Sequence, residues 1–115
     1  PKIIRAAGLN HLMDRQADTA VKAFQELVYP KPDGAWNDLT AQLAGENQIR
    51  QGSRGDLVKL AQERLIHYGF PLNVSGADGI FGTETDRQIR AFQADRGLTR
   101  DGVVGTATWK ALLGA

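Results

Sequence analysis

An octet recurs in this chain: DGIFGTET, Asp78 to Thr85, returns 23 positions later as DGVVGTAT, Asp101 to Thr108. Asp, Gly, Gly, Thr and Thr keep identical spacing, which forces the same local geometry twice. Gly tolerates positive φ, and an Asp side chain accepts hydrogen bonds from nearby backbone amides, so each Asp-Gly pair reads as a turn. Each turn leads into a helix. Thr83 stands three residues before Asp86, the spacing of a capping box, and Thr85, Ile89 and Phe92 then form an apolar stripe. The second octet opens a last short helix, Thr108 to Leu113, with Trp109 and Leu112 turned inward.

The rest of the chain carries the same helical period. Ala17, Ala20, Val21, Phe24, Leu27 and Val28 make one stripe that must stop near Tyr29, ahead of Pro30 and the KPDG turn. A short helix with Trp36, Leu39 and Leu43 on one face is expected next, with Gly45 as its C-terminal cap. Ile3 to Met13 is a weaker helical candidate. Ser53 and Asp56 have capping-box spacing ahead of Leu57, Leu60, Ala61, Leu65 and Tyr68, and Gly69 and Gly97 read as helix stops. No run of four or more residues alternates cleanly, so the class is all-α, a small helical bundle. The division expected is a helical N-terminal segment 1–45, a polar linker 46–52, and a domain over 53–115.

A second echo has an offset of 68. Asp18, Ala23, Phe24 and Gln25 match Asp86, Ala91, Phe92 and Gln93, and Asp33-Gly34 matches Asp101-Gly102. Pairing Trp36 and Leu39 with Trp109 and Leu112 makes the N-terminal copy five residues shorter, a half-unit closed by a tighter turn.

Chemistry is constrained by what is scarce. There is no cysteine, so no disulfide, thiolate metal site or cysteine nucleophile. His11 and His67 are far apart and form no ligand-spaced pair, and neither DGxxG loop has the alternating acidic ligands of a calcium loop. No metal or cofactor is expected. Ser53 and Ser75 lack a nucleophile-elbow context, and Glu26, Glu46, Glu63 and Glu84 sit on predicted helices or linker, so no catalytic residue is assigned. Fourteen basic residues against 13 acidic give a net charge of +1, which argues against nucleic acid, and no apolar run suits a signal h-region or a membrane span. Because Pro1 is not a start methionine, the chain reads as a piece of something longer.

From Gly52 to Leu113, the GSRGDLV opening, Gln62, Leu65, YGF at Tyr68, DGIFGTET, IRAFQ ending at Gln93, Gly97-Leu98, DGVVG and Thr108-Trp109 with Leu112 together resemble the bacterial peptidoglycan-binding domain. That is the three-helix module attached to cell-wall amidases, muramidases, transpeptidases and phage lysins. Ala61, Tyr68 and Gln88 depart from the family pattern. The resemblance implies a three-helix module preceded by two or three further short helices, and a noncatalytic, monomeric binder of glycan strand or stem peptide. It also implies a catalytic domain outside this chain and a place in the cell wall or periplasm. Tyr68, Asn73, Thr83, Arg87 and Arg100 are the expected ligand contacts, the arginines meeting stem-peptide carboxylates. Two rivals stand beside it: a prodomain, which lacks here the thiol of a cysteine switch, and a protein-interaction module of an envelope or phage particle.

Overall fold

The computed structural model describes residues 19–28 and 32–115, which form an all-α bundle. In chain order the helices are α1 (residues 19–28), α2 (Asp38–Glu46), α3 (Asp56–His67), α4 (Thr83–Asp95) and α5 (Thr106–Leu112). Two further helices thus precede the three-helix module among the described residues; the Ile3–Met13 expectation, and the stop at Tyr29, lie outside them. Each is too short to hold in water alone, so packing must stabilise it.

The packing follows the helical period. Val58, Ala61, Gln62 and Leu65 are the buried positions of α3, and Thr85, Ile89, Phe92 and Gln93 those of α4. With Thr108, Trp109 and Leu112 of α5 and Ala20, Val21 and Phe24 of α1 they make one core. Phe24 is fully buried, its ring centroid 4.8 Å from that of Trp109, and Trp36 packs on the same core, so Ala20, Val21 and Phe24 of the N-terminal stripe are covered while Leu27 is exposed. The Trp109 indole N–H donates to Asn47 O (3.2 Å), which joins the turn after α2 to α5.

Three helices end alike. Gly69, Gly97 and Gly114 take positive φ, and the residue after each donates its N–H back to the last turn: Phe70 to Leu65 O, Leu98 to Gln93 O, and Ala115 to Lys110 O. This is the 6→1 bond of a Schellman cap, in which Leu98 takes the position just past the glycine stop.

Helix entry differs from the expectation. The N-caps of α3, α4 and α5 are Gly55, Gly82 and Gly105, and none has a side-chain cap. The helices start one or more residues away from the expected caps, so Ser53 instead closes the turn 50–53, where its hydroxyl accepts from Arg50 N (3.1 Å). Thr83 is the first residue of α4 rather than its cap, and α5 begins two residues earlier than Thr108. Of α2 to α5, only α2 is capped by a side chain: Asn37 Oδ1 accepts from Thr40 N (2.9 Å).

The inner face of α2 is also different. Thr40 and Ala44 are its buried residues, while Leu39 is exposed. Gly45 lies within the helix, where an added Cβ would stand 3.0 Å from Thr106 Oγ1; the missing side chain allows α2 to approach α5 closely.

Residues 46–55 tie the two octets together. Ile49, buried in the core, exchanges both backbone hydrogen bonds with Val104, while Gly52 N donates to Phe81 O and Phe81 N to Ser53 O. Two isolated antiparallel bridges, Ile49 with Val104 and Arg54 with Ile80, are the only β pairing among the described residues. The segment expected to be a polar linker therefore carries a core side chain and the pairing partners of both loops.

Candidate functional site

Most of the recurrent polar residues of the octets are occupied in building the fold. Gln93 is fully buried, and its Nε2 donates to Asp101 Oδ1 (3.0 Å), Val103 O (3.0 Å) and Thr108 Oγ1 (3.1 Å), while Gly102 N donates to its Oε1 (3.1 Å). Gln62 does the same one repeat earlier, with Asp78 (3.1 Å), Ile80 O (3.0 Å), Thr85 (3.0 Å) and Gly79 N (2.8 Å). Gln25 repeats it again with Asp33 (3.1 Å), Ala35 O (2.9 Å), Thr40 (2.9 Å) and Gly34 N (2.8 Å). One buried amide thus satisfies a loop carbonyl, a loop N–H and a helix hydroxyl, as a polar group must be satisfied in a core.

These nodes correct the register of the N-terminal copy. Thr40 lies seven residues after Asp33, as Thr85 does after Asp78 and Thr108 after Asp101, so the offset of 68 runs unbroken and nothing is deleted. Trp36 is the counterpart of Phe81 and Val104, not of Trp109. The described residues hold three copies of a helix–loop–helix-entry unit.

The electrostatics arise from the same bonds. Asp33, Asp78 and Asp101 are each held below the ordinary carboxylate range, first by the N–H two residues on, that of Ala35, Ile80 or Val103. The Gln side chains add to this. Glu84 is lowered chiefly by the Ser75 N–H, with help from Val74 N–H, the Ser75 hydroxyl and the charge of Arg87.

The expected contact residues fall into separate places. Asn73 and Thr83 are exposed near the start of α4, where Glu84 accepts from Val74 N (3.2 Å) and Ser75 N (2.9 Å), and Arg87 is exposed one turn on. Thr83 Oγ1 accepts from Gln51 Nε2 (3.2 Å). Tyr68 belongs to the other end of that helix: half-buried, its ring lies 5.8 Å from that of Phe92, with the guanidinium carbons of Arg64 and Arg96 5.1 and 5.0 Å from its centroid. Since α4 is roughly 20 Å long, no small ligand spans both. Arg100 is exposed beyond α4, its carbonyl accepting from Arg90 Nη1 (3.3 Å).

Beside Arg100 opens a groove of about 380 Å³, lined by Gln48, Arg50, Leu98, Thr99, Asp101, Val103 and residues 105–108. Sequence reasoning missed Gln48, Arg50, Thr99 and Thr106, because they come from segments some 50 residues apart that are united by tertiary contacts such as the Ile49–Val104 bridge.

No cluster of His, Cys, Asp or Glu suited to a metal occurs among the described residues, and no helix there is long and apolar enough to cross a membrane. Both candidate serine nucleophiles are engaged, Ser53 with Arg50 N and Ser75 Oγ with Glu84 (2.9 Å).

Comparison with known proteins supplies the family. The N-acetylmuramoyl-L-alanine amidase CwlL of Bacillus licheniformis is 44% identical over 64 residues, 56% of this chain and 18% of the amidase. The amidase CwlM of Mycobacterium tuberculosis is 33% identical over 112 residues, 88% of this chain and 27% of that protein. The chain therefore spans between about a fifth and a quarter of these relatives. Among solved structures, the SleB N-terminal domain is similar with a TM-score of 0.55 at 35% identity, over 59% of this chain and 90% of that one. Residues 54–112 match the family described as putative peptidoglycan binding domain, a little over half of the chain, and the chain belongs to that family.

Proposed function

We propose that this chain is a noncatalytic module that binds peptidoglycan and holds an attached cell-wall hydrolase or remodelling enzyme at its insoluble substrate, outside the cytoplasm. The observation that carries the reading is the family match over residues 54–112, in a chain that spans only a small share of its amidase relatives. The benefit is one of effective concentration: a tethered enzyme meets its polymer without a new diffusional search. The chemistry agrees. Buried polar groups are spent on the three Gln nodes, and Glu84, the carboxylate bonded to Ser75 Oγ, is occupied by the N–H groups of Val74 and Ser75.

The surface available to a polar polymer is shallow and lies around the octets. Asn73, Thr83 and Arg87 offer one set of contacts at the start of α4, and Arg100 flanks the groove beside α5. Tyr68 offers a half-buried ring with the guanidinium groups of Arg64 and Arg96 over it. The module acts as a monomer.

A paired assay on purified sacculi tests the two halves of this reading. The folded chain co-sediments with sacculi at moderate salt and releases no soluble fragments from them. Release of muropeptides would overturn the noncatalytic half, and absence from the pellet would overturn the binding half.

A further inference from the structure

The second and third repeats use one design differently. Glu84 in the second repeat corresponds to Ala107 in the third, and Ser75 to Leu98, by the offset of 23 that relates Asp78 to Asp101. In the second repeat the Glu84 carboxylate accepts from Val74 N (3.2 Å), Ser75 N (2.9 Å) and Ser75 Oγ (2.9 Å), so the space between loop and helix start is filled by the chain's own carboxylate. In the third repeat Ala107 and Leu98 provide no such group, and the same position is the open groove of about 380 Å³.

We propose that this third-repeat groove receives a carboxylate on a small alkyl residue, and so takes the peptide part of the wall polymer rather than its glycan. The proposal rests on the wall-binding reading above. Arg50 is exposed on the rim and has no ion-pair partner among the described residues. A guanidinium so placed is suited to a carboxylate, which it can hold with two parallel N–H bonds. Asp101 lines the same groove as an ionised carboxylate; its Oδ1 accepts from Gln93 and from Val103 N (2.9 Å), and its charge is offset by that of Arg90. The hydroxyl of Thr99 and the amide of Gln48 supply neutral donors and acceptors, Thr106 Oγ1, which donates to Ala41 O (3.3 Å), can accept, and Leu98 and Ala107 add a short apolar stretch. No lining residue is aromatic, so the groove lacks the flat face on which a sugar ring stacks.

The test uses the whole chain and three exposed substitutions: Arg50→Gln, Ala107→Glu and, on α3 outside the groove, Lys59→Gln. Retention is measured on intact sacculi and on glycan strands stripped of their peptides by an amidase, with a soluble stem tetrapeptide ending in D-alanine as competitor. Thermal melts establish that each variant is folded. Wild type and Lys59→Gln are retained on intact sacculi and at least tenfold less on stripped strands, the tetrapeptide competes, and Arg50→Gln and Ala107→Glu each weaken retention about tenfold. Ala107→Glu acts by placing in the third repeat the carboxylate that fills the second. Equal retention on stripped strands, or unchanged retention of both groove variants, overturns the peptide assignment while leaving wall binding intact. Failure of the wild type to bind intact sacculi overturns wall binding, and this proposal with it.

Discussion

The ring of Phe24 lies 4.8 Å from that of Trp109, joining a helix that precedes the family-matched segment to the last helix within it. Both side chains are fully buried, so α1 completes the core of the module. Phe24→Ala removes a large side chain from a site walled by helices and is expected to cost about 3–5 kcal/mol. Urea denaturation measures it; a loss below about 1 kcal/mol would show that α1 is dispensable to the core.

The three Gln nodes predict equivalent losses at distant positions. Gln62→Ala and Gln93→Ala each strand a buried threonine hydroxyl and a loop N–H, and Gln25→Ala strands the N–H groups of Asp33 and Gly34 while Thr40 keeps Asn37 Oδ1 (3.0 Å), at about 1–3 kcal/mol for an unsatisfied group. Similar losses at all three, again by denaturation, are expected. A near-neutral Gln25→Ala would show that the first repeat does not rely on its node.

Acid sensitivity is a consequence of the loop carboxylates. Asp33, Asp78, Asp101 and Glu84 have folded values lowered from 3.8 for Asp and 4.5 for Glu by backbone N–H donors. A lowered folded value means the unfolded chain takes up protons first as pH falls. The stabilisation is therefore complete above the ordinary carboxylate range and lost as pH drops through the folded values, so Tm should be level near neutrality and decline below about pH 4. Asp78→Asn should flatten that decline. A Tm that holds at about pH 3, or an undiminished slope in the variant, would contradict the assignment.

Two glycines separate backbone strain from crowding. Gly97 has φ 70° and open space around an added Cβ, whereas Gly102 has φ 72° and a Cβ there would lie 2.6 Å from Asp86 Oδ1 and 2.9 Å from Arg90 Nη2. Gly97→Ala is expected to cost roughly 1 kcal/mol from the left-handed conformation alone. Gly102→Ala should cost more, because the Asp86–Arg90 pair must also shift. Equal melting temperatures for the two variants would deny that crowding.

The helices are legible in the sequence because their buried residues recur at helical spacing and Gly69 and Gly97 stop them. The caps are not, since an Asp-Gly loop delivers the chain to the helix through an extended glycine and leaves Thr83 one position too late to cap. Two of the nodes share an eight-residue spacing from Gln to Asp, but in the second it is 16, and the added eight residues, 16 less 8, hide its kinship with the others. The groove is invisible for another reason: Arg50 and Thr106 line it together because of tertiary contacts such as the Ile49–Val104 bridge, which no local pattern announces.

The central claim is that this folded chain recognises peptidoglycan without cleaving it, and a saturation isotherm on purified sacculi tests it most directly. The labelled chain should bind to a finite number of sites, be displaced by unlabelled chain, and leave the sacculi's turbidity unchanged. Binding that fails to saturate or compete, or sacculi that clear, would contradict the account.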